Sequence, residues 1–144
     1  MSITVELATE LTEEICASFV QLMPQLSSSN PAPDREQLSL IIASPSTHLF
    51  LSRDENGRIC GSLTLAVFRI PTGIRAWVED VVVDSSARGK GMGEALCRAA
   101  IDHAKALGAI TVDLTSRPSR EAANRLYKRV GFSVRETNVY RFTS

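Results

Sequence analysis

SSARGKGMGEAL, residues 85–96, sets glycines at 89, 91 and 93 around Arg88 and Lys90, and a helical pattern begins at once behind them. Without a Cβ, such a turn can adopt strained angles and let a ligand approach its amides closely. The helix that follows leaves its first N–H groups unpaired and carries partial positive charge at that end. Together these make an anion site, to which Arg88 and Lys90 add charge. Two familiar phosphate loops do not fit. A Walker loop needs G-x-x-x-x-G-K-[ST], and Gly91 is followed by Met92. The dinucleotide fingerprint is G-x-G-x-x-G, and the spacing here is G-x-G-x-G. The bland alternative is a turn that only tightens a strand-to-helix connection.

Outward from this turn the chain reads as alternating elements. IRAWVEDVVVD (74–84) precedes it as a strand. Gly91 to Leu107 follows as a helix whose Met92, Leu96, Ala99, Ala100, His103, Ala104 and Leu107 keep the 3.6-residue period, with Gly108 as its stop. AITVDLTS (109–116) alternates as the next strand, so residues 74–116 form one β-α-β unit with a right-handed crossover. Upstream, HLFLSRD (48–54) and RICGSLTLAVFRI (58–70) join 74–84 in an antiparallel meander through the ENG and PTG turns. ITVELA (3–8) is a first strand, Thr12 caps a helix over EEICASFVQLM, and Asp34 caps a short helix, REQLSLIIA. PQLSSSNPAPD (24–34) between those helices reads as loop. Ser119 is the expected cap of REAANRLYKRV, Gly131 ends that helix, and FSVRE and NVYRF close the chain as strand material. The expected fold class is α+β, or mixed α/β, with helices on a largely antiparallel sheet.

The 144 residues predict one domain, 1–144, large enough to bury a core without staples. Apolar residues make up 44% of it, a globular composition. Lys+Arg and Asp+Glu number 16 each, so bulk charge predicts neither a nucleic-acid partner nor an acidic membrane surface. Three widely spaced cysteines and two histidines argue against a disulfide framework and predict no metal site. No apolar run approaches ~18 residues, and the N-terminus lacks a basic region followed by an apolar stretch. A soluble, cytoplasmic domain is the expectation.

Arg88-Gly-Lys-Gly91-Met-Gly93, after the strand VEDVVVD, resembles the R/Q-x-x-G-x-G/A signature of the GNAT superfamily, the acyl-CoA-dependent N-acyltransferases. The likeness extends to a later helix carrying A-x-x-L-Y and then G-F, here Ala123, Leu126, Tyr127, Gly131 and Phe132. It spans about residues 74–132 in motif, and the whole chain in element order. It implies a GNAT-like sheet with one splayed parallel strand pair and helices on both faces.

The resemblance also implies roles. The turn over Arg88, Gly89, Lys90, Gly91, Met92 and Gly93 would hold the pyrophosphate of acetyl-CoA, and the backbone of Val81, Val82 and Val83 would pair with its pantetheine. A valine run is also simply good strand sequence. A strand amide near Val82 would hold the oxyanion. Tyr127 stands where the family places the general acid that protonates the departing thiolate; packing of an aromatic on the sheet is the alternative. Alkylamines have pKa values of about 10, so the acceptor needs a base or a depressed pKa. Glu79 and Asp80 interrupt an apolar strand just before the valines, and alternation puts only one of them in the cleft. Glu79 is the expected base and both are candidates for binding the acceptor, the alternative being that they are structural or merely exposed. The pair resembles that of spermidine/spermine and glucosamine-6-phosphate N-acetyltransferases. One departure stands out: where many members place Asn to bond the pantetheine, this chain has Arg120, with Asn124 as a substitute.

The expected function is acetyl transfer from acetyl-CoA to a primary amine by direct attack in a ternary complex. The alternative is a domain of the same fold that senses acyl-CoA without turnover. A nucleotide-phosphate domain of another kind is disfavoured, because both nucleotide fingerprints are missing. The loop 24–34 has neither an acidic cluster for a polyamine nor a basic cluster for a sugar phosphate. The acceptor stays open among a small amine, an amino acid or antibiotic, and a peptide or protein amine, and the assembly between monomer and homodimer.

Overall fold

A computed structural model describes residues 2–144. Its elements run β1 (Thr4–Leu7), α1 (Glu13–Leu26), α2 (Arg35–Ala43), β2 (Thr47–Arg53), β3 (Ile59–Ile70), β4 (Gly73–Val83), a short 3-10 turn (Ser85–Ala87), α3 (Met92–Ala106), β5 (Thr111–Asp113) and α4 (Glu121–Val130). The strands form one sheet in the order β1-β2-β3-β4-β5. The first three pairings are antiparallel and β4 pairs β5 in parallel, as the β-α-β reading requires. The class is therefore mixed α/β, with four helices on one mixed sheet.

Local chemistry sets the helix starts. The Thr12 hydroxyl accepts from the Ile15 amide at 3.2 Å, and Glu13 and Glu14 lie at the positive end of the α1 dipole. Asp34 opens α2 with a full capping box: its carboxylate accepts from the Gln37 amide at 2.8 Å, and the Gln37 carbonyl accepts from the Asp34 amide at 3.0 Å.

Two apolar layers sandwich the sheet. On one face α3 and α4 cover Leu63, Leu65, Ala76 and Val78, with Leu96, Ala100 and Tyr127 supplied by the helices. On the other, α1 and α2 cover Leu49, Leu51 and Ile59. Strand alternation sorts the two sets.

Four sequence expectations are corrected. α1 runs through Pro24 to Leu26, where a loop was expected from residue 24. A proline so near the helix end removes only its own amide bond, and Ser27 N still donates to Met23 O at 2.9 Å. β5 is limited to Thr111–Asp113, short of the expected 109–116, because its partner β4 stops pairing at Trp77. Ser119 is not the cap of α4. A backbone turn, Arg120 N to Arg117 O at 3.0 Å, holds the approach, and Arg120 occupies the cap position without a side-chain bond. FSVRE and NVYRF form no strand in the described residues. A strand needs a ladder partner, and Val134, Val139, Tyr140 and Phe142 stay exposed with none.

Candidate active site

The site is organised by an irregularity in β4. Ser62 opposes Val82 and Thr64 opposes Glu79, so Leu63 alone faces both Asp80 and Val81. This is a β-bulge, and Asp80 takes φ 49° to make it. The pairing with β5 covers only Arg75–Thr111, Ala76–Val112 and Trp77–Asp113. Beyond Trp77 the outer edge of β4 is free, and Val81, Val82 and Val83 lie along that stretch. A free strand edge is the geometry in which an extended amide chain can add as a strand.

At the end of that edge the glycine turn begins. Gly89 and Gly91 have φ of 80° and 84°, and a Cβ on either would meet nothing within 4 Å, so their role is conformational. Gly93 differs: a Cβ there would come within 3.1 Å of Leu126 Cδ1, so this glycine sets how closely α3 approaches α4. Gly91 caps α3 without a side-chain bond, which leaves the leading amides free for an anion. Lys90 and Arg88 are exposed beside them, and Arg88 Nε donates back to Val83 O at 3.2 Å. Met92 is buried beneath the turn at 2% exposure.

The turn is fastened by residues the sequence did not flag. Asp84 is 3% exposed; it accepts from Ser86 N at 3.1 Å and from Arg58 Nη1 at 3.1 Å. Arg58 Nη2 also donates to Ser86 Oγ at 2.9 Å. From the opposite side, Gln25 of α1 accepts from Ser85 N at 2.8 Å. The Ser86 amide, with the Arg58 guanidinium adding to it, holds the Asp84 carboxyl below the usual carboxylate range against the opposing effect of burial. Sequence separations of 26 and 60 residues hide these contacts from local pattern reading.

A cavity of about 800 Å³ lies between β5 and α4. Tyr127, Asn124, Ser116 and Trp77 contribute to its wall. Tyr127 is 8% exposed and packs edge-to-face on Phe132 with ring centroids 6.0 Å apart. Burial pushes its phenol pKa up, the Cys97 thiol adds to this, and the Arg120 guanidinium opposes it, so the phenol keeps its proton at neutral pH. Asn124 spends its side-chain donor on Arg117 O at 3.0 Å. Arg120 is exposed at the start of α4. Ser116 Oγ is buried and has no hydrogen-bond partner in the described residues, an orphan of the kind a bound polar chain would satisfy.

A second cavity, of about 570 Å³, opens on the other face of the sheet between α1, α2 and β4. Asp80 and Val82 line it, with Ser62 and Thr64 beside them. Glu79 is exposed and stands directly across from Thr64, and directly opposed residues share a face. Of the two carboxylates Asp80 lines this cavity, and Glu79, the expected base, lines neither cavity. Trp77 of β4 lines the first cavity and Asp80 and Val82 the second, so both border the strand that carries Val81–Val83 and the carboxylate pair and leads to the glycine turn.

Residues 9–132 match the Acetyltransferase (GNAT) family. Glucosamine 6-phosphate N-acetyltransferase 1 of Oryza sativa subsp. japonica is 32% identical over 127 residues, covering 83% of this chain and 75% of that protein. Mycothiol acetyltransferase of Propionibacterium freudenreichii subsp. shermanii is 36% identical over 91 residues, or 63% of this chain and 29% of that longer protein. The crystal structure of glucosamine-6-phosphate N-acetyltransferase from Arabidopsis thaliana superposes with a TM-score of 0.81 over 100% of both chains at 20% identity, which speaks for the fold.

Asp84→Ala is expected to cost about 1–3 kcal/mol at pH 7, by leaving Ser86 N and Arg58 without their acceptor. Urea denaturation reads this, and amide exchange over residues 85–93 should quicken. The wild-type carboxylate has a depressed pKa when folded, so its contribution is present above the unfolded value of about 3.9 and is lost as pH falls through the folded one. The gap between wild type and variant should shrink below about pH 4; an unchanged gap would rule out the charged form as the fastener.

Proposed function

The chain belongs to the GNAT acetyltransferase family and is an acetyl-transferring enzyme, and from that premise we propose that it moves the acetyl group of acetyl-CoA directly to a primary amine. The observation that carries this reading is the free edge of β4 beyond Trp77, which runs straight into the uncapped glycine turn. Acetyl-CoA supplies the thioester. The residues present fit it: the turn amides, Arg88 and Lys90 suit a pyrophosphate, and the Val81–Val83 backbone and the orphaned Ser116 hydroxyl suit the pantetheine arm. Arg120 and Asn124 flank the same rim. Asn124 already has an acceptor in Arg117 O, which makes it the poorer replacement for the missing family Asn.

In the reaction the amine nitrogen bonds the acetyl carbon as the carbon–sulfur bond breaks. The nitrogen sheds a proton, and the sulfur gains one. Glu79, with Asp80 beside it, takes the role of base, and Tyr127 is the acid. A phenol whose pKa burial has raised stays protonated and ready to donate. The amide near Val82 is the donor for the developing oxyanion. Direct attack is favoured over a covalent acetyl-enzyme by the state of the thiols. Cys97 is fully buried and its pKa is pushed up to about 11 by burial, and Cys60 is fully buried with its pKa raised for the same reason. Cys16, on α1, lines neither cavity.

The first test is calorimetric titration with acetyl-CoA, with ATP and NAD as controls. Saturable binding of acetyl-CoA alone is expected; no binding by folded protein would end the reading. Gly91→Asp should abolish that binding, by setting a carboxylate against the pyrophosphate on backbone that glycine favours. Retained affinity would free the turn of this role. Tyr127→Phe should lower kcat by about 10²–10⁴-fold with little change in affinity for acetyl-CoA. Full turnover would return Tyr127 to a packing role. Glu79→Gln should move the pH–rate profile to higher pH, since the amine must then lose its proton unaided; an unaltered profile would exclude a base at this position.

A further inference from the structure

The 570 Å³ cavity between α1, α2 and β4 has a composition that selects among amines. Its wall is built by Phe19, Leu22 and Leu26 of α1, Leu38 of α2, Leu49 of β2 and Val82 of β4. Asp80 is its single charged lining residue among those described, and no Lys, Arg or His joins it. Other polar groups, Ser62, Thr64, Asn30 and Gln37, are neutral. Asp80 sits on the β4 bulge, three residues past Trp77, the last β4 residue paired with β5, and so lies on the stretch whose outer edge is free.

On the premise that the chain transfers acetyl to an amine, we propose that the acceptor is a primary amine on an apolar body. The alkyl or aryl part lies against the α1–α2 wall and the nitrogen points to Asp80. An ammonium group is attracted to that carboxylate, which β4 itself carries. A phosphorylated amino sugar is rejected twice over. Its dianion would enter a cavity with no cation to pair it, where an unpaired charge is costly, and the one charge it meets there is of like sign. A polyamine is a poor fit as well: Asp80 holds one nitrogen, and the next would be left against leucine and phenylalanine.

The test is a set of initial-rate assays of CoA thiol release at saturating acetyl-CoA. Propylamine to hexylamine, phenylethylamine, spermidine and glucosamine 6-phosphate are the acceptors. Along the alkylamine series kcat/KM should rise about threefold to fourfold per methylene, because each one leaves water for the apolar wall. Leu26→Lys, at the half-buried end of α1, should flatten that series while circular dichroism reports an intact fold. A flat series in the wild type, or a preference for glucosamine 6-phosphate or spermidine, overturns the proposal and leaves acetyl transfer standing. If acetyl-CoA binds but no acceptor is turned over, hexylamine binding to the CoA complex is read by saturation-transfer NMR. Binding that Leu26→Lys removes supports the proposal, and no binding overturns it. Failure of acetyl-CoA itself to bind is the separate failure of the transfer reading. Hexylamine bound by the protein alone, and lost in Leu26→Lys, would then still support the cavity's preference, and its absence would refute it.

Discussion

Between Val82 and Glu79, β4 places two residues against the single Leu63 of β3, with Asp80 held at φ 49°. A non-glycine residue in that region costs on the order of 1–3 kcal/mol. The ladder on both sides holds it there: pairs run from Gly73 to Glu79 below the bulge and through Val82 and Val83 above it. The extra residue bends the strand, within the stretch past Trp77 where β5 does not pair with it. This stretch of β4 carries the free backbone edge, and it places Asp80 on the wall of the α1–α2 cavity.

The two faces of the sheet then carry different tasks. The α3–α4 face holds the glycine turn and Tyr127, and its two helices are tied together. Gly93 lets the helices meet closely, and Glu94 in the first turn of α3 is bridged by Arg98 at 3.1 Å and Arg129 at 2.9 Å. These pairs are half-exposed and add little stability. They also screen a carboxylate that would otherwise oppose an anion at the same helix end. The α1–α2 face carries the second cavity, and β4 borders both.

The glycine turn is fixed from outside itself. Asp84 links it to Arg58 at the head of β3, and Gln25 links it to α1. Ordering a turn before a ligand arrives reduces the entropy lost on binding. Gln25 lies one residue from Leu26 on the wall of the α1–α2 cavity, so the helix that borders this cavity also braces the glycine turn.

Much of this was legible in the chain itself. Period 2 and period 3.6 patterns, with Thr12, Asp34, Gly108 and Gly131 as punctuation, are local physics, and they gave the strands, the helices and the parallel β4–β5 pair. The spacing of Gly89, Gly91 and Gly93 before a helix pointed to an anion-binding turn, because the amides and dipole such a site needs belong to the turn alone. The ends of elements were less legible where they depend on a distant partner. β5 stops at Asp113 because β4 departs, and the segment after Gly131 has no strand to pair with. The bulge at Asp80 was invisible for the same reason, since it exists only as a mismatch between two strands. The Asp84–Arg58 fastener, the orphaned Ser116 hydroxyl and the apolar, cation-free character of the α1–α2 cavity likewise depend on residues far apart in sequence. Local propensity determined the elements and the turn chemistry; strand register and the packing of two layers, which are non-local by nature, decided the shape and charge of the site.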